Sequence, residues 1–489
     1  MPTKRDRNEK DSTSKKRRKK TRKNREIIIS IYMFVFLFVG MIGYLCHFVN
    51  TSGQEMINYS FNKRQQILTS KNSRGTIYSS DGEIVAESLL SEDGKETRIY
   101  PYDNLFSHTV GFSTKGRTGI EAMANSYLIN AHVSLTEKVE NEVSGQKNHG
   151  DNVYSTLRTD LQQIASKALG VSKGAIIVSE VKTGRVLAMV SKPDFNPNTI
   201  VQDWNGYVKD EKNSVLLNRA TQGIYPPGST FKIITSLAYI RQHPTDFSQY
   251  AFTCNGHFTH GQDKINCYHG TVHGGVDLAE SFAKSCNASF ANIGIGLPRD
   301  QFGKMLQELG FGQNLPLNMN YSVSNLSVDG ATSDEDMIQI SIGQGKAQIT
   351  PILLHLITNS IAGNGKVMKP MFMDKVLSED GAIVKQFKPE LYKTLMTEEE
   401  SRVLRELMTG VVENGTGKRL RGLSYTAAGK TGSAEYNHVK EDSHAWFTGF
   451  APAEEPEISV TIIVEGIGSG GDYAVPIAKR IFDGYFGTN

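Results

Sequence analysis

A serine and a lysine stand three residues apart in the segment PPGSTFK, residues 226–232. Because residues i and i+3 share one face of a helix, Ser229 and Lys232 would point in the same direction, one turn apart. A serine hydroxyl is a weak nucleophile until a base removes its proton, and a lysine is such a base only where its surroundings lower its pKa. The pair therefore predicts nucleophilic catalysis, provided that the rest of the chain buries Lys232.

The Ser-x-x-Lys pattern has little meaning by itself. It begins at Ser12, Ser60, Ser144, Ser179, Ser229 and Ser281. Only the match at Ser229 follows a Pro-Pro-Gly stop and opens a long apolar run, FKIITSLAYI. A Ser-x-Asn pattern begins 56 residues later at Ser285, and a Lys-Thr-Gly pattern begins another 145 residues on at Lys430. The order and spacing of the three motifs predict one site built from all of them.

The segments PPGSTFK, SCN (285–287) and GKTGSAE (429–435) resemble, in this order, the three motifs of the penicillin-binding protein and serine β-lactamase superfamily. ISIGQGKAQITPI (340–352) and HAWFTGFAP are similar to the same family. The resemblance runs from about Asp151 to the C-terminus. It implies a mixed α/β (α+β) fold in which helices flank a central antiparallel sheet, beside an all-helical lobe.

The resemblance also implies roles for the first two motifs. Ser229 would be the nucleophile at a helix N-terminus, where free N–H groups favour negative charge. Lys232 would be the base, its pKa lowered by burial and by the charge of Lys430. Ser285 would relay a proton to the leaving group and Asn287 would bind the substrate amide, both from a loop between two helices.

The third motif would bind the other end of the substrate. Lys430, on an edge strand, would attract a substrate carboxylate, and Thr431 would form a hydrogen bond with it. Gly432 would leave the approach of the acyl group free. The backbone N–H groups of Ser229 and Ser433 would form an oxyanion hole, an arrangement typically worth about 3–4 kcal/mol of barrier. This site includes no metal ligand and no cofactor.

Cysteine is rare, so the chain does not depend on a disulfide framework. Two cysteines, four histidines and one aspartate nevertheless fall in CNGHFTHGQDKINCYHGTVH, which runs from Cys254 to His273. The composition permits a Cys254–Cys267 disulfide, a metal site or free thiols, and the spacing fits no strong ligand pattern.

The N-terminus is basic and is followed by an apolar segment. Residues 1–26 contain 13 Lys or Arg against 4 Asp or Glu. A nucleic-acid-binding arm is one reading of this tail. However, residues 27–49 contain no charged side chain and, at 1.5 Å per residue, would extend about 34 Å, which is enough to cross a bilayer. We therefore expect one transmembrane helix, a cytoplasmic tail and an extracytoplasmic remainder, and no nucleic acid as partner.

The remainder is expected to contain a small pedestal of the dimerisation type at 50–150 and a transpeptidase domain at 151–489. In the pedestal, Asp81-Gly82 predicts a hairpin, and NEVSGQKNHGDN (141–152) predicts a linker. In the larger region, DLQQIASKALG predicts a helix that ends at Gly170, and helices are expected to dominate residues 229–310.

Strands are expected at both ends of the larger region. GAIIVSEVKTGRVLAMVS predicts two strands joined by a turn at Lys182-Thr183-Gly184. YTAAGKTGSAEY, HAWFTGFAP and ISVTIIVE predict three more, and VPIAKRIFDGYF predicts a final amphipathic helix. Asp334–Asp336 is interpreted as a solvated loop, Trp446 as a core residue, and GIGSGG (466–471) as a loop rather than a nucleotide site.

The anchor and RGTIYSSDG resemble class B, monofunctional penicillin-binding proteins, without room for a glycosyltransferase domain. The implied activity is D,D-transpeptidation of peptidoglycan stem peptides ending in D-Ala-D-Ala, through a serine acyl-enzyme that β-lactams would trap. A separate membrane glycosyltransferase is an expected partner. A β-lactamase or D,D-carboxypeptidase would use the same site with water as acceptor, and a β-lactam sensor or scaffold is a further alternative.

Overall fold

The structure, a computed structural model, describes residues 4–58, 63–91, 95–435 and 443–488. The chain divides into two compact units, Met1–Gln66 and Ile67–Asn489. The first unit consists mainly of helix α1 (Lys4–Asn58). Its stretch Asp11–Phe48 is long and apolar enough to cross a membrane, as judged by length and composition. Large apolar side chains are exposed along it, such as Phe36 at 80%, which suits a lipid environment better than water.

The other helices belong mostly to the second unit. In chain order they are α2 (Lys63–Lys71), α3 (Gly119–Met123), α4 (Asn125–Leu128), α5 (Leu135–Ser144), α6 (Thr159–Leu169), α7 (Ile200–Lys209), α8 (Lys232–Gln242), α9 (Leu278–Ala283), α10 (Asn287–Gly296), α11 (Arg299–Glu308), α12 (Asp334–Ser341), α13 (Pro351–Ala362), α14 (Glu398–Asn414) and α15 (Ala474–Phe486).

The strands are short outside the central sheet. In chain order they are β1 (Asn72–Ser73), β2 (Ile77–Tyr78), β3 (Ile84–Leu90), β4 (Glu96–Ile99), β5 (Asn148–His149), β6 (Asn152–Ser155), β7 (Gly174–Glu180), β8 (Val186–Lys192), β9 (Phe252–Cys254), β10 (His257–His260), β11 (Asp263–Asn266), β12 (Gly274–Val276), β13 (Lys366–Met368), β14 (Met373–Leu377), β15 (Ile383–Gln386), β16 (Leu391–Thr394), β17 (Ala428–Glu435), β18 (Ser443–Ala451) and β19 (Ile458–Val464).

The central sheet has five antiparallel strands in the order β17-β18-β19-β7-β8. The strands predicted at both ends of the larger region therefore pair in one sheet, as expected. Every residue of β18 and β19 is buried, because α6 and α15 pack on one face while α13 covers the other. Ile176 and Val178 join one core and Ala175 and Ile177 the other, which follows from the two-residue period of a strand. β17, the strand with the Lys-Thr-Gly motif, lies at the edge.

A second sheet joins the pedestal to the larger region. Its order is β15-β14-β6-β2-β3-β4, and β2 and β3 form the hairpin predicted at Asp81-Gly82. β6 pairs with β2 on one side and with β14 on the other. Strands from both sides of residues 150/151 share this sheet. The domain boundary expected at 150/151 therefore stays a prediction.

The predicted linker at 141–152 is wrong. Residues 141–144 are the last turn of α5. Ser134 caps the N-terminus of this helix, and Gly145, in the left-handed region, follows its C-terminus. Residues 148–149 then pair with β1, and residues 152–155 form β6. The polar composition of NEVSGQKNHGDN concealed these short elements.

Helices dominate the region 229–310, as expected, although β9 to β12 lie between α8 and α9. One further expectation needs correction. The acidic run Asp334–Asp336 forms the first turn of α12 rather than a loop. Ser333 caps this helix by accepting a hydrogen bond from the backbone N–H of Asp336, 3.1 Å away, and acidic side chains are favourable at a helix N-terminus. The segment GIGSGG is a loop between β19 and α15, as expected.

Candidate active site

Ser229 lies in a 3-10 turn, Gly228–Phe231, that leads directly into α8. A regular α-helical start was expected here. A 3-10 turn has three residues per turn, so side chains at i and i+3 eclipse each other. Lys232 Nζ consequently lies 2.9 Å from Ser229 Oγ. Lys232 is fully buried, whereas Ser229 remains partly exposed, so the hydroxyl can meet a substrate while its neighbour is shielded from water.

Backbone contacts from the segment 340–352 hold this turn in place. Tyr225 and Ile349 exchange two hydrogen bonds, of 3.0 and 2.9 Å. The Gly228 N–H donates to the carbonyl of Gly343 over 2.9 Å. Gly343 has a φ of +77°, and a Cβ there would lie 1.9 Å from the carbonyl oxygen of Gly228. Only glycine allows this approach. The ISIGQGKAQITPI segment therefore supports the turn that carries Ser229.

Trp446 is a core residue, as predicted, with no exposed surface. Its indole N–H donates to the carbonyl of Pro226 over 3.0 Å, just before the nucleophile turn. On the neighbouring strand, a Cβ at Gly432 would lie 2.9 Å from the carbonyl oxygen of Pro227 and 3.0 Å from Thr230 Cγ2. Gly432 therefore lets β17 lie directly against the turn, a more immediate reason for glycine than the expected room for an acyl group.

Ser285 lies on the loop between α9 and α10, as expected, and has a φ of +57°. The left-handed region costs free energy for a residue with a side chain. Two backbone hydrogen bonds hold the loop, from Ser285 to Phe282 (3.2 Å) and from Cys286 to Ser281 (2.8 Å). As a result, both the carbonyl and the hydroxyl of Ser285 lie near Lys232 Nζ, at 2.9 and 3.2 Å.

Four oxygens surround Lys232 Nζ, since Asn287 Oδ1 lies 2.7 Å away. The Asn287 side chain is oriented by its Nδ2, which donates to the carbonyl of Asn266 over 3.1 Å. The Ser285 carbonyl and the Asn287 amide oxygen can only accept hydrogen bonds, whereas a hydroxyl can also donate. A neutral amine has two N–H groups for these acceptors and one lone pair for the hydroxyl proton of Ser229. The contacts thus suit a base.

Lys430 approaches the Ser285 hydroxyl from the edge strand. It is fully buried, and its Nζ lies 3.0 Å from both Ser285 Oγ and the carbonyl of Thr431. Thr431 Oγ1 lies 2.5 Å from Thr416 Oγ1, in the turn that follows α14. Thr416 belongs to no motif, and sequence reasoning did not identify it.

Ser433 follows on the same strand. Its hydroxyl accepts a hydrogen bond from the Gly470 N–H over 3.3 Å. A Cβ at Gly228 would lie 2.6 Å from the Ser433 carbonyl oxygen. The nucleophile turn and this end of the Lys-Thr-Gly strand are therefore in direct contact, which brings together the two backbone segments expected to form the oxyanion hole.

Burial sets the protonation of the two lysines. It lowers the pKa of Lys232 to about 7, although the nearby Cys286 and Cys267 oppose the shift. Burial and then the charge of Lys232 hold the pKa of Lys430 well below its ordinary value. Charge repulsion between the two lysines was expected to lower the pKa of Lys232, but it lowers the pKa of Lys430 instead. Both pKa shifts favour the neutral form of the amine over two neighbouring cations.

The competing motif matches have ordinary structural roles. Ser281 is buried and accepts a hydrogen bond from Ser289, while Lys284 is exposed. Ser179 is buried in β7 beside His355. Lys182-Thr183-Gly184 is the turn between β7 and β8, as predicted. The serines at 12 and 144 are on exposed helix surfaces, and the serine at 60 lies outside the described residues.

One group in the described part of the chain could hold a metal ion. It consists of Cys254, Cys267, His273 and Cys286, whose ligand atoms all lie within 4.8 Å of one another. Cys286 is the middle residue of the SCN motif. The sequence pointed to three of these residues but not to Cys286, because its partners are distant in the chain.

The chain is similar to proteins of one family along most of its length. The penicillin binding protein transpeptidase domain matches residues 174–483, and the penicillin binding protein A dimerisation domain matches residues 74–153. The peptidoglycan D,D-transpeptidase PbpA of Mycolicibacterium smegmatis is 29% identical over 450 residues, covering 85% of this chain and 90% of that protein. The peptidoglycan D,D-transpeptidase MrdA of Acinetobacter baumannii is 29% identical over 447 residues, covering 79% and 66%.

Solved structures are similar over the same extent. The imipenem acyl-enzyme complex of penicillin-binding protein A from M. tuberculosis superposes with a TM-score of 0.76 at 26% identity, covering 85% of this chain and 99% of that one. The D,D-transpeptidase domain of a peptidoglycan glycosyltransferase from Eggerthella lenta gives a TM-score of 0.75 at 27% identity, covering 86% and 99%. With its motifs assembled around one buried lysine pair, the chain belongs to the penicillin-binding protein transpeptidase family.

Proposed function

We propose that the protein is a membrane-anchored peptidoglycan D,D-transpeptidase whose nucleophile is Ser229. The observation that carries the proposal is the buried Lys232 Nζ, 2.9 Å from Ser229 Oγ. Relatives named peptidoglycan D,D-transpeptidase and a structural neighbour solved as an acyl-enzyme with imipenem support the same activity. The substrate class is a stem peptide ending in D-Ala-D-Ala, and β-lactams are covalent inhibitors.

The contacts suggest a sequence of proton transfers. Neutral Lys232 removes the proton of Ser229 as Oγ attacks the carbonyl of the penultimate D-Ala. Negative charge on the carbonyl oxygen is stabilised by the backbone N–H groups of Ser229 and Ser433. The protonated Lys232 then returns the proton through Ser285 to the departing amine of D-Ala. The products are a Ser229 ester and free D-Ala.

The third motif and Asn287 place the donor peptide. The terminal carboxylate binds near Thr431 and Ser433, in the positive field of Lys430. Arrival of this anion favours the charged form of Lys430, so the substrate raises the pKa of that lysine as it binds. The Nδ2 of Asn287 donates to the carbonyl of Asn266, and its Oδ1 contacts Lys232 Nζ. These two contacts set the orientation of the Asn287 amide toward the peptide.

The acceptor is an amine rather than water in this proposal. Within the described residues, no Asp or Glu forms a hydrogen bond with Ser229, Lys232, Ser285 or Lys430. Among the described residues, no carboxylate is therefore held against these side chains to activate water at the ester. This disfavours the β-lactamase and carboxypeptidase alternatives, which require rapid hydrolysis.

The anchor sets where the reaction occurs. The basic tail before the apolar part of α1 favours a cytoplasmic N-terminus and an extracytoplasmic catalytic unit. A separate membrane glycosyltransferase would supply the glycan strands. An N-terminal epitope that resists external protease in intact cells, while the catalytic unit is digested, would support this orientation.

The activity is tested with full-length protein in detergent, a synthetic D-Ala-D-Ala stem peptide, and an acceptor amine added or withheld. We expect the cross-linked amide to exceed the hydrolysis product when the amine is present. Ser229→Ala should form neither product, and Ser281→Ala, a change in the decoy motif, should form both. Hydrolysis that dominates at saturating amine would replace this proposal with the carboxypeptidase one.

A further inference from the structure

Helix α1 carries a dense run of cations directly before its apolar part. Residues 12–25, STSKKRRKKTRKNR, contain nine Lys or Arg and no Asp or Glu. They belong to the same helix as the apolar residues from Ile27 onward, since α1 runs from Lys4 to Asn58. Within this segment, residues 12–19, 24 and 25 are exposed. The positive charge is therefore directed to the surroundings of the helix.

The segment repels itself as a helix. Residues four apart lie on the same face, and Lys15, Lys16, Arg18 and Lys19 each have a cation four positions later. Like charges at this spacing destabilise a helix. Lys15 also has an acidic neighbour, Asp11, whose carboxylate lies 4.0 Å from its Nζ, but both side chains are exposed and such pairs contribute little. A helix with this charge is stabilised by anions from outside the chain.

Distances along the helix place the cations at a membrane surface. At 1.5 Å per residue, the inner cations (residues 22, 23 and 25) lie about 3–8 Å before Ile27, and the outer cations (residues 15–20) lie about 10–18 Å before it. The polar layer on each side of a bilayer is about 5–8 Å thick. If the apolar part of α1 spans the bilayer, the inner cations lie among the headgroups. The outer cations then lie within about two screening lengths of them, since this length is about 8 Å at physiological salt.

We propose that the nine cations of residues 15–25 form a binding surface for anionic phospholipid headgroups in the leaflet beside the tail. The headgroup phosphates supply the anions that the helix lacks, and each Lys or Arg near an anionic surface adds attraction. The inference rests on the membrane anchor proposed above. With the proposed orientation, the leaflet is the cytoplasmic one.

A nucleic acid also offers phosphates, but it has to reach the tail from solution. Headgroups are next to the cations whenever the helix spans a bilayer. A tethered partner of this kind has a high effective concentration without any further contact. The position of the cations, directly before the apolar segment, therefore favours lipid over nucleic acid.

The lipid preference is measured with full-length protein reconstituted in phosphatidylcholine, which has no net charge. Trace amounts of spin-labelled phosphatidylglycerol or spin-labelled phosphatidylcholine show, by electron paramagnetic resonance, how much of each lipid the protein immobilises. We expect phosphatidylglycerol to associate at least about twofold more strongly at low salt. The ratio should approach one in about 1 M salt, where the screening length is about 3 Å. A smaller ratio at low salt, or a ratio that salt does not lower, would overturn the inference.

A variant of the outer cations tests the surface itself. It combines K15Q, K16Q, R17Q, R18Q, K19Q and K20Q. Gln has a helix propensity close to that of Lys and Arg, and the inner cations that favour the proposed orientation remain. The variant should lose at least about half of the excess association of phosphatidylglycerol, because six of nine charges are absent.

The matched control keeps every charge. It combines K15R, K16R, K19R and K20R and should retain the wild-type ratio. An unchanged ratio in the Gln variant would show that the outer cations do not bind headgroups. A ratio lost in the Arg variant would show that charge is not what selects the lipid.

Two further measurements separate this inference from its neighbours. Flotation of the wild-type protein with pure phosphatidylcholine vesicles tests the anchor alone, because these bilayers offer the tail no net charge. Protein that floats but lacks a lipid preference would overturn only the lipid surface, whereas protein that does not float would overturn the anchor. Binding of a fluorescent DNA duplex to protein in vesicles that contain phosphatidylglycerol should be absent. DNA binding that persists there and is lost in the Gln variant would assign the tail to nucleic acid instead.

Discussion

The hydroxyl oxygen of Ser285 lies 3.0 Å from Lys430 Nζ. It also lies 3.2 Å from Lys232 Nζ, so one hydroxyl connects two buried amines that are 198 positions apart in the chain. The two lysines come from different parts of the fold, a helix behind the nucleophile and the edge strand of the central sheet. The loop that supplies Ser285 is the only direct link between them among the hydrogen bonds of the described residues.

Ser285→Gly distinguishes the role of the hydroxyl from that of the backbone, because it removes the hydroxyl and still allows the backbone conformation. Glycine adopts the φ of +57° without the cost of a side chain, so this variant should be at least as stable as Ser285→Ala, which keeps that cost. Both variants lose the relay and should acylate with a β-lactam on the order of a hundredfold more slowly than wild type. Thermal melts and stopped-flow acylation measure the two effects. Near-normal acylation by Ser285→Gly would exclude the hydroxyl from the reaction.

The acylation rate should rise with pH through about 7 and level off above it. Lys232 has a pKa of about 7 because it is buried, and only its neutral form accepts the Ser229 proton. Since the charged form dominates below this pH, the rate should fall about tenfold for each pH unit there. Lys430 and the thiols of Cys267 and Cys286 are the other ionisable groups nearby. The rate profile with a β-lactam of constant charge over this range measures the midpoint.

The control for this profile is Lys232→Ala, which should lose both the rate and its rise near neutral pH. A rate that instead falls on raising the pH through 7 would mean that the charged lysine is the active form.

Gly432→Ala should damage the site without unfolding the protein. The new Cβ would lie 2.9 Å from the Pro227 carbonyl oxygen, so β17 must move away from the nucleophile turn. We expect at least a tenfold loss of acylation. Gly410→Ala is the matched control, since a Cβ there meets nothing within 4 Å and alanine favours the helix by about 1 kcal/mol. Equal acylation by the two variants would contradict a close fit between strand and turn.

Local patterns were sufficient to predict the central sheet. Four of its strands, β7, β8, β18 and β19, are largely apolar runs, and strands buried on both faces have this composition. The edge strand β17, AGKTGSAE, was predicted from its motif and not from apolar composition. The three motifs were identified by their order, and their side chains do meet. The predicted roles of these residues remain predictions, because proximity alone does not establish which side chain transfers a proton.

Other features depend on contacts between distant parts of the chain. The start of α12 was missed because its cap, Ser333, precedes an acidic run that also suits a solvated loop. The 3-10 turn at Ser229 depends on Gly343 and Gly432, which lie against it from other elements. Cys286 joins its cluster only when α10 packs on the β10–β11 hairpin. No local pattern encodes such contacts.

The β-lactam adduct should be long-lived. Within the described residues, no carboxylate forms a hydrogen bond with Ser229, Lys232, Ser285 or Lys430, so none of these carboxylates is placed to activate water at the ester. We expect the adduct to persist for minutes to hours, as followed by intact-mass spectrometry after removal of free drug. Peptide mapping should place it on Ser229 and not on Ser281. Turnover of a chromogenic cephalosporin at about one per second or faster, within the usual range for enzymes, would favour the β-lactamase alternative.

Thr416→Val tests a residue that no motif indicated. Thr416 Oγ1 lies 2.5 Å from Thr431 Oγ1, and a Thr416 hydroxyl that donates to Thr431 leaves the Thr431 proton free for a substrate carboxylate. Valine keeps the shape but removes the partner, at a net cost of about 1 kcal/mol for one hydrogen bond. The KM for the stem peptide should therefore rise about fivefold while kcat changes little, because the loss affects binding of the carboxylate before and during the reaction alike. Thr409→Val, at a hydroxyl bonded within α14, should leave both constants unchanged. A fall in kcat at constant KM for Thr416→Val would instead place Thr416 in the chemical step.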